Sequence, residues 1–308
     1  ISHCCHSFSL FHLPHPFLKF SFQMPDLMLL TTCIDERSIH SLLESVVSCN
    51  SKVDIRMICV AQNGCRIVAP VSNHFILDVL KVDTVIPLSQ ARNLAIRYVR
   101  DAGIQGRYVM FPDDDTLFDN NFFETFEMRV QGNTIIDVYG TGTNTLFKRI
   151  FHKQNDRLCE RDYAAAMSVN MIIDYDVFAK TGYFDERLGV GAPYGSGEDV
   201  DYYIRCFRHA PTGFRYERNL YNYHPLPDDK YRTMTFRMLA KRYRNYGRGM
   251  IYVFCKHRMY IPAVKCICSG AAGAILAFFM LSNVQLVKLI KCLWFNSLLM
   301  KLPDFNSL

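Results

Sequence analysis

Apolar and polar residues in the first third of the chain follow two alternating patterns. Short, mostly apolar runs are typical of buried strands, and stretches with apolar residues three and four apart are typical of amphipathic helices. In chain order these segments are LMLLTT (27–32), SIHSLLESVVS (38–48), VDIRMICV (53–60), SQARNLAIRYVRDAG (89–103) and RYVMF (107–111). Ser89 is the predicted N-terminal cap of the second helix. Strands that alternate with helices predict an open, doubly wound α/β sheet with both faces covered.

Three adjacent aspartates, Asp113, Asp114 and Asp115, follow the last of these strands. In doubly wound sheets ligands bind at the carboxyl ends of the strands, which is where these side chains lie. Clustered carboxylates are stable around Mg²⁺ or Mn²⁺, because these cations prefer oxygen ligands. A solvated acidic turn is the alternative interpretation.

Two further segments carry candidate chemistry. In SGEDVDYYIRCF (196–207), Glu198 and Asp199 occupy the first turn of a predicted helix, where the helix dipole stabilises carboxylates for purely structural reasons. The same field keeps a carboxylate ionised, as a general base must be. His224, in YNYHPLP, precedes a proline-stiffened turn, and either core packing or metal ligation would account for it.

Together these motifs resemble the family 2 glycosyltransferases, over roughly Asp26 to Pro225. The order of the motifs carries the resemblance: LMLLTT, SQARNLA, FPDDD, GYFDERLGVGAPYGSGEDVDYYIR and HP. The resemblance implies a GT-A fold, a Rossmann-like open mixed sheet flanked by helices, in an enzyme of bacterial surface-polysaccharide type.

The resemblance also implies roles for matching residues. Donor binding falls to Thr32, Gln62, Arg92, Asp113 and Asp114. Among these, Asp113 is expected to approach the donor ribose and Arg92 the nucleotide or its pyrophosphate. Gln62 stands where relatives often carry an aspartate that reads the nucleobase. Because an amide both donates and accepts hydrogen bonds, Gln62 leaves the identity of the base open.

The remaining implied roles are catalytic and metal-binding. Asp115 and His224 are the implied ligands of Mn²⁺ or Mg²⁺. Asp199 is the implied base that deprotonates the acceptor hydroxyl, and Glu198 is a second catalytic candidate beside it. If both carboxylates face the site, their repulsion raises the pKa of one of them.

The implied activity is inverting transfer of a sugar from a nucleotide-sugar donor to a hydroxyl of a glycan or lipid-linked acceptor, in polysaccharide or glycolipid biosynthesis. Two alternatives remain open, a catalytically inactive binding protein of the same fold and a metal-dependent nucleotidyltransferase or nuclease. The chain has no Walker-type glycine-rich loop, and its basic residues cluster away from the aspartates. We therefore expect no nucleic-acid partner.

Composition indicates one large core with an appendage, since half of the 308 residues are hydrophobic. The twelve cysteines are scattered and lie mostly in apolar runs, which indicates buried thiols in a reducing compartment. The HCCH cluster at 3–6 lacks the usual ligand spacing of a zinc site. Residues 1–23 show neither strand nor helix periodicity, and we expect them to be extraneous to the fold or disordered.

Charge separates the predicted catalytic domain, residues 24–229, from a helical tail, residues 230–308. Residues 1–229 carry 22 Lys and Arg against 28 Asp and Glu, whereas the tail carries thirteen against one. A run of 22 uncharged residues, 266–287, is long enough to cross a bilayer, but its polar residues and the lysines that follow it fit a re-entrant or surface-lying helical pair equally well. A soluble helical subdomain is the third possibility. We expect a membrane-associating tail and a location at the cytoplasmic face of a membrane.

Overall fold

The computed structural model describes residues 24–50, 52–147 and 157–279. The HCCH cluster and the rest of residues 1–23 lie outside this part of the chain, as does the end of the uncharged run after residue 279. The predictions for those segments therefore lie outside the described residues.

Nine strands form one mixed sheet in the order β3-β2-β1-β4-β8-β6-β9-β5, with β7 paired to β9. The strands are β1 (Leu27–Cys33), β2 (Ile55–Gln62), β3 (Phe75–Val82), β4 (Tyr108–Met110), β5 (Leu117–Phe118), β6 (Thr134–Gly140), β7 (Arg157–Leu158), β8 (Met171–Asp174) and β9 (Phe214–His224). The predicted strands are β1, β2 and β4, and they pair in parallel as expected. β8 pairs antiparallel with β4, which makes the sheet mixed.

Helices cover both faces of the sheet. They are α1 (Glu36–Cys49), α2 (Leu88–Asp101), α3 (Phe122–Arg129), α4 (Tyr175–Thr181), α5 (Glu198–His209), α6 (Pro227–Arg232), α7 (Phe236–Lys256) and α8 (Tyr260–Phe279). Alternate residues of β1 enter opposite cores: Met28 and Leu30 join the core beneath α2 and α5, while Leu27 and Leu29 join the core beneath α1 and α3. This alternation is why the strand is apolar throughout.

The predicted cap of α2 was wrong. The residue that precedes α2 is Pro87, which has no side-chain hydrogen bond to offer. The Ser89 hydroxyl instead donates to the Leu188 carbonyl oxygen at 2.6 Å, and the Leu88 amide donates to the Val190 carbonyl at 2.9 Å. The first turn of α2 is therefore satisfied by a distant loop, an arrangement that local sequence cannot show.

Helices α7 and α8 pack onto the sheet domain. Val253 and Phe254 of α7, with Ala263 and Cys266 of α8, belong to the same buried cluster as α2 and α5. Part of the predicted tail is therefore continuous with the core. Among the described residues, no helix is both long enough and apolar enough to cross a membrane.

The nine cysteines of the described residues are free thiols, and five of them are buried. Buried thiols in apolar runs are what the sequence predicted.

Candidate active site

The aspartate cluster and His224 meet at the carboxyl edge of the sheet. Asp113 and Asp115 follow β4, and the chain then enters β5, whose Leu117 lies opposite Tyr223 of β9. This pairing brings the last residue of β9 to the aspartates. His224 Nε2 lies 3.1 Å from Asp115 Oδ1 and 3.5 Å from Asp113 Oδ2.

These three side chains fit a divalent metal ion. One ligand atom from each of Asp113, Asp115 and His224 lies within 4.8 Å of the other two. His224 Nδ1 lies 3.0 Å from the Pro225 carbonyl oxygen, which can only accept, so Nδ1 carries a proton and Nε2 faces the carboxylates. Carboxylate oxygens with an imidazole nitrogen suit Mn²⁺, and carboxylates alone suit Mg²⁺. The structure thus adds Asp113 to the implied ligands.

The charge balance of the group favours a cation. Burial lowers the pKa of His224, but its hydrogen bonds and ion pairs with Asp113 and Asp115 raise it to about 9. A proton on Nε2 therefore occupies the place that a metal ion would take, and metal binding would release it.

Asp114 stands apart from this group. Burial, together with the charges of Asp115 and Asp113, raises the pKa of Asp114 to about 6, against the opposing effect of the Ile34 amide. Its surroundings are the turn after β1, so the three aspartates point into different environments.

Arg92 connects the cation-binding group, which consists of Asp113, Asp115 and His224, to the candidate base Asp199. Its guanidinium is 3% exposed and lies 5.3 Å from the centre of the Phe184 ring. Nη2 donates to Asp113 Oδ1 at 2.9 Å, and Nη1 donates to Asp199 Oδ1 at 3.2 Å. The resemblance implied that Arg92 approaches the donor, but in this structure its hydrogen bonds go to the protein's own side chains.

Glu198 and Asp199 differ in their surroundings. Helix α5 begins after Gly197, whose φ of 91° lies in the left-handed region and turns the chain into the helix. Asp199 is paired with Arg92, whereas burial and the Asp199 charge raise the pKa of Glu198 to about 7. Of the two carboxylates, Glu198 is therefore the one whose pKa the expected repulsion raises.

The remaining donor-binding candidates lie along the same edge of the sheet. Thr32 is the penultimate residue of β1 and pairs with Val60 of β2. Gln62 ends β2, is buried, and accepts a hydrogen bond from the Ile86 amide through Oε1 at 2.9 Å. This bond fixes the segment before α2, which is a structural role beyond the one predicted for Gln62.

Two features of the site were missed from the sequence. The Ser168 hydroxyl accepts the second hydrogen bond of Arg92 Nη2 at 2.8 Å, and no motif marks that serine. Ser196, two residues before Glu198, donates through Oγ to the Asn245 carbonyl oxygen of α7 at 3.2 Å. The glycines at 247 and 249, inside an otherwise regular helix, were the available signal, because glycine in a helix often marks close backbone approach. A Cβ on Gly249 would overlap the Ser196 carbonyl oxygen.

Comparison with known proteins shows similarity in structure but not in sequence. No protein-family model and no curated protein sequence matches the chain. The mannosyltransferase PcManGT from Pyrobaculum calidifontis, in complex with GDP-Man and Mn²⁺, superposes with a TM-score of 0.53 at 13% identity, over 91% of this chain and 82% of that one.

S. aureus TarS has the same fold. Its 1–349 fragment in complex with UDP-GlcNAc superposes with a TM-score of 0.51 at 14% identity, over 74% of this chain and 65% of that one. A longer TarS structure superposes with a TM-score of 0.50 at 15% identity, and this chain covers 43% of that chain. The chain therefore has the fold of these two proteins, both solved with nucleotide sugars bound, which agrees with the fold that the sequence motifs implied.

Proposed function

We propose that this protein is a family 2 glycosyltransferase, a metal-dependent enzyme that moves a hexosyl group from a nucleotide-sugar donor to an acceptor hydroxyl with inversion. One observation carries the proposal. At the carboxyl edge of the sheet, Asp113, Asp115 and His224 form a cation-binding group, and Arg92 joins that group to Asp199. The fold of PcManGT and TarS, whose structures hold GDP-Man and UDP-GlcNAc, supports a nucleotide sugar as donor.

The proposed reaction is a single displacement. The acceptor oxygen forms a bond to the anomeric carbon while the bond from that carbon to the diphosphate oxygen breaks, and Asp199 takes the hydroxyl proton. Asp113, Asp115 and His224 would hold Mn²⁺ or Mg²⁺, which supplies positive charge for the departing diphosphate. Arg92 orients Asp199, because its guanidinium donates to one of the two carboxylate oxygens.

The proposed acceptor is a glycan or lipid-linked molecule in bacterial surface-polysaccharide or glycolipid assembly, at the cytoplasmic face of a membrane. Charge supports this location, since the tail carries thirteen basic residues against one acidic residue. It also supports the interpretation that residues 230–308 associate with a membrane.

A panel of UDP- and GDP-sugars tests the proposal. The purified chain is incubated with each donor in Mn²⁺, in Mg²⁺ and in excess chelator, and release of the nucleoside diphosphate is measured. We expect at least one donor to be consumed only in the presence of metal. With an acceptor alcohol added, the anomeric configuration of the glycoside product, determined by NMR, tests inversion.

The matched variants are Asp115→Asn and Asp83→Asn. Asp115 belongs to the cation-binding group, whereas Asp83 is an exposed aspartate after β3. We expect Asp115→Asn to lose Mn²⁺ binding in calorimetry and donor turnover together, and Asp83→Asn to keep both. Full activity in chelator would contradict the metal-dependent proposal, and donor binding without turnover on any acceptor would indicate an inactive binding protein.

A further inference from the structure

One face of α7 carries a stripe of basic side chains. Arg237, Lys241, Arg244 and Arg248 are exposed, and their spacings of four, three and four residues place them on a single helical face. Helix α7 contains no acidic residue, and none of the four side chains forms an ion pair within the described residues. Arg248 lies 5.8 Å from the centre of the Tyr194 ring, but like charges three and four apart destabilise a helix, and no acidic partner offsets this repulsion within the described residues.

The neighbouring helix α8 exposes an apolar face. Tyr260, Ile261, Val264 and Ile267 are between 52% and 73% exposed. The adjoining side of the helix is buried through Ala263 and Cys266. The exposed residues at 260, 264, 267 and 261 recur at helical spacing, so the apolar face follows the sequence pattern, with exposed Lys265 at its margin.

The basic stripe and the apolar face belong to one helical pair. Only residues 257–259 separate α7 from α8, and Cys266 Sγ lies 3.9 Å from the Gly247 carbonyl oxygen. The two helices therefore fold back along each other. The described part of this segment, from 230 to 279, contains ten Lys and Arg and no Asp or Glu.

We propose that the α7–α8 pair docks on a lipid surface that contains anionic headgroups. The basic stripe would bind the headgroups, and the apolar face of α8 would enter the boundary between headgroups and acyl chains. A nucleic acid would use the basic stripe but not an apolar face of this kind. A second copy of the chain that docked through the same face would bring positive charge against positive charge.

Within the described residues, the four basic side chains and the apolar face of α8 are exposed. Residues 280–308 carry three lysines and one aspartate, so they have the same sign of charge as the basic stripe. An anionic lipid surface is the partner that complements both the charge and the apolar face.

Docking would act close to the candidate active site. Asn245 and Tyr246 lie on α7 between the basic residues, and their carbonyl oxygens receive the Ser196 hydroxyl at 3.2 and 3.4 Å. Ser196 begins the loop that leads into Glu198 and Asp199. A lipid-linked acceptor would thus be presented near this loop, a consequence that rests on the proposed function. Lipid binding by the α7–α8 pair deepens the proposed membrane association and does not depend on glycosyl transfer.

Vesicle sedimentation with the full chain tests the proposal, without donor or metal. The vesicles are phosphatidylcholine alone or phosphatidylcholine mixed with phosphatidylglycerol. We expect binding only to the mixed vesicles and weaker binding at high salt, because screening reduces the headgroup attraction. Each basic side chain near the surface contributes about a five-fold increase in partitioning.

Two variants and one matched control separate the contributions. Replacing Arg237, Lys241, Arg244 and Arg248 by Gln should lower partitioning at least about ten-fold. Replacing Ile261 and Val264 by Ser should weaken binding to the mixed vesicles at both low and high salt. The control replaces four exposed cations elsewhere, namely Lys52, Arg97, Arg157 and Lys180, by Gln and keeps the same net charge as the first variant.

Circular dichroism establishes that each variant is folded before its binding is compared. Equal loss of binding in the stripe variant and the control would overturn the proposal, because it would show an effect of net charge alone. Tight binding to single-stranded DNA with no vesicle binding would overturn it in favour of a nucleic-acid surface. A dimer that is lost on changing Ile261 and Val264, again with no vesicle binding, would overturn it in favour of self-association.

Discussion

Arg92 and Asp199 form a hydrogen-bonded ion pair of 3.2 Å across 107 residues of sequence. The same guanidinium binds Asp113, so the candidate base and the cation-binding group share one buried positive charge. Without that charge the two carboxylates would repel each other across the site. Arg92 is therefore a positioning residue for both halves of the proposed chemistry.

Replacing Arg92 by Met should impair catalysis and stability together. We expect the free energy of unfolding to fall by about 1–3 kcal/mol, less than for a fully buried pair because both carboxylates reach solvent. Asp199 also loses the donor that orients it, so kcat/KM should fall. Denaturant titration and steady-state kinetics measure these two effects. Arg97→Met, an exposed change in the same helix, is the control and should alter neither.

Asp199→Asn should separate the proposed base from its neighbour. The amide keeps the shape of the side chain but cannot accept a proton, so turnover should fall by roughly 10²–10⁴-fold while donor affinity changes little. Single-turnover kinetics and donor titration measure the two quantities. If Glu198→Gln causes this loss and Asp199→Asn does not, then Glu198 is the base.

Glu198→Gln should instead change the pH dependence of stability. Burial and the Asp199 charge raise the pKa of Glu198 from 4.5 to about 7, so the folded state favours the protonated side chain. The stability that this preference contributes is fully present below pH 4.5 and is lost as the pH rises through 7. We therefore expect Glu198→Gln to raise the free energy of unfolding, relative to the unmodified protein, more at pH 8 than at pH 5. An unchanged difference between the two pH values would contradict the raised pKa.

Two glycines of α7 provide a matched pair for the contact with the Ser196 loop. A Cβ at position 249 would overlap the Ser196 carbonyl oxygen, whereas a Cβ at position 247 would meet no atom within 4 Å. Gly249→Ala should cost about 1–3 kcal/mol of unfolding free energy, because backbone must move. Gly247→Ala should add up to about 1 kcal/mol, the difference in helix propensity. Thermal or denaturant unfolding measures both changes in unfolding free energy. Equal effects of the two substitutions would show that α7 does not pack tightly against the Ser196 loop.

Asp201 should contribute acid-sensitive stability. It is fully buried and accepts from His257 Nε2 at 2.8 Å, Lys256 Nζ at 2.7 Å and Arg205 Nε at 2.9 Å. Arg208, which can only donate, lies 3.0 Å from His257 Nδ1. His257 Nε2 therefore carries the hydrogen and donates it in a hydrogen bond to Asp201. Burial raises the pKa of Asp201, but these partners together lower it to about 2.

The pH window of this contribution follows from the lowered pKa. The stabilisation, about 2 kcal/mol, is present above the ordinary pKa of 3.8 and is lost as the pH falls towards 2. We therefore expect Asp201→Asn to lower the free energy of unfolding at pH 6, and to lower it less at pH 2.5, relative to the unmodified protein. Denaturant unfolding at both pH values measures it. A constant difference would mean that Asp201 does not titrate in this range.

The sequence alone determined the elements whose signal is local. β1, β2, α1, α2 and α5 carry their apolar residues at strand or helix spacing, and the aspartates after β4 had to lie at a carboxyl edge once that strand was parallel. β3 was missed because Asp78 and Lys81 interrupt its apolar pattern. At this edge of the sheet Asp78 is stabilised by Arg56 of β2 at 2.7 Å, a partner that sequence spacing does not show.

Only the tertiary structure decided which side chains meet. The pairing of β5 with β9 brings His224 to Asp113 and Asp115, and the packing of α2 and α5 into one buried cluster brings Arg92 to Asp199. The sequence marked these residue types as candidates, but hydrogen bonds and ion pairs act over a few ångströms of space. Residues 107 apart in the chain come that close only when buried strands and helices pack around a common core.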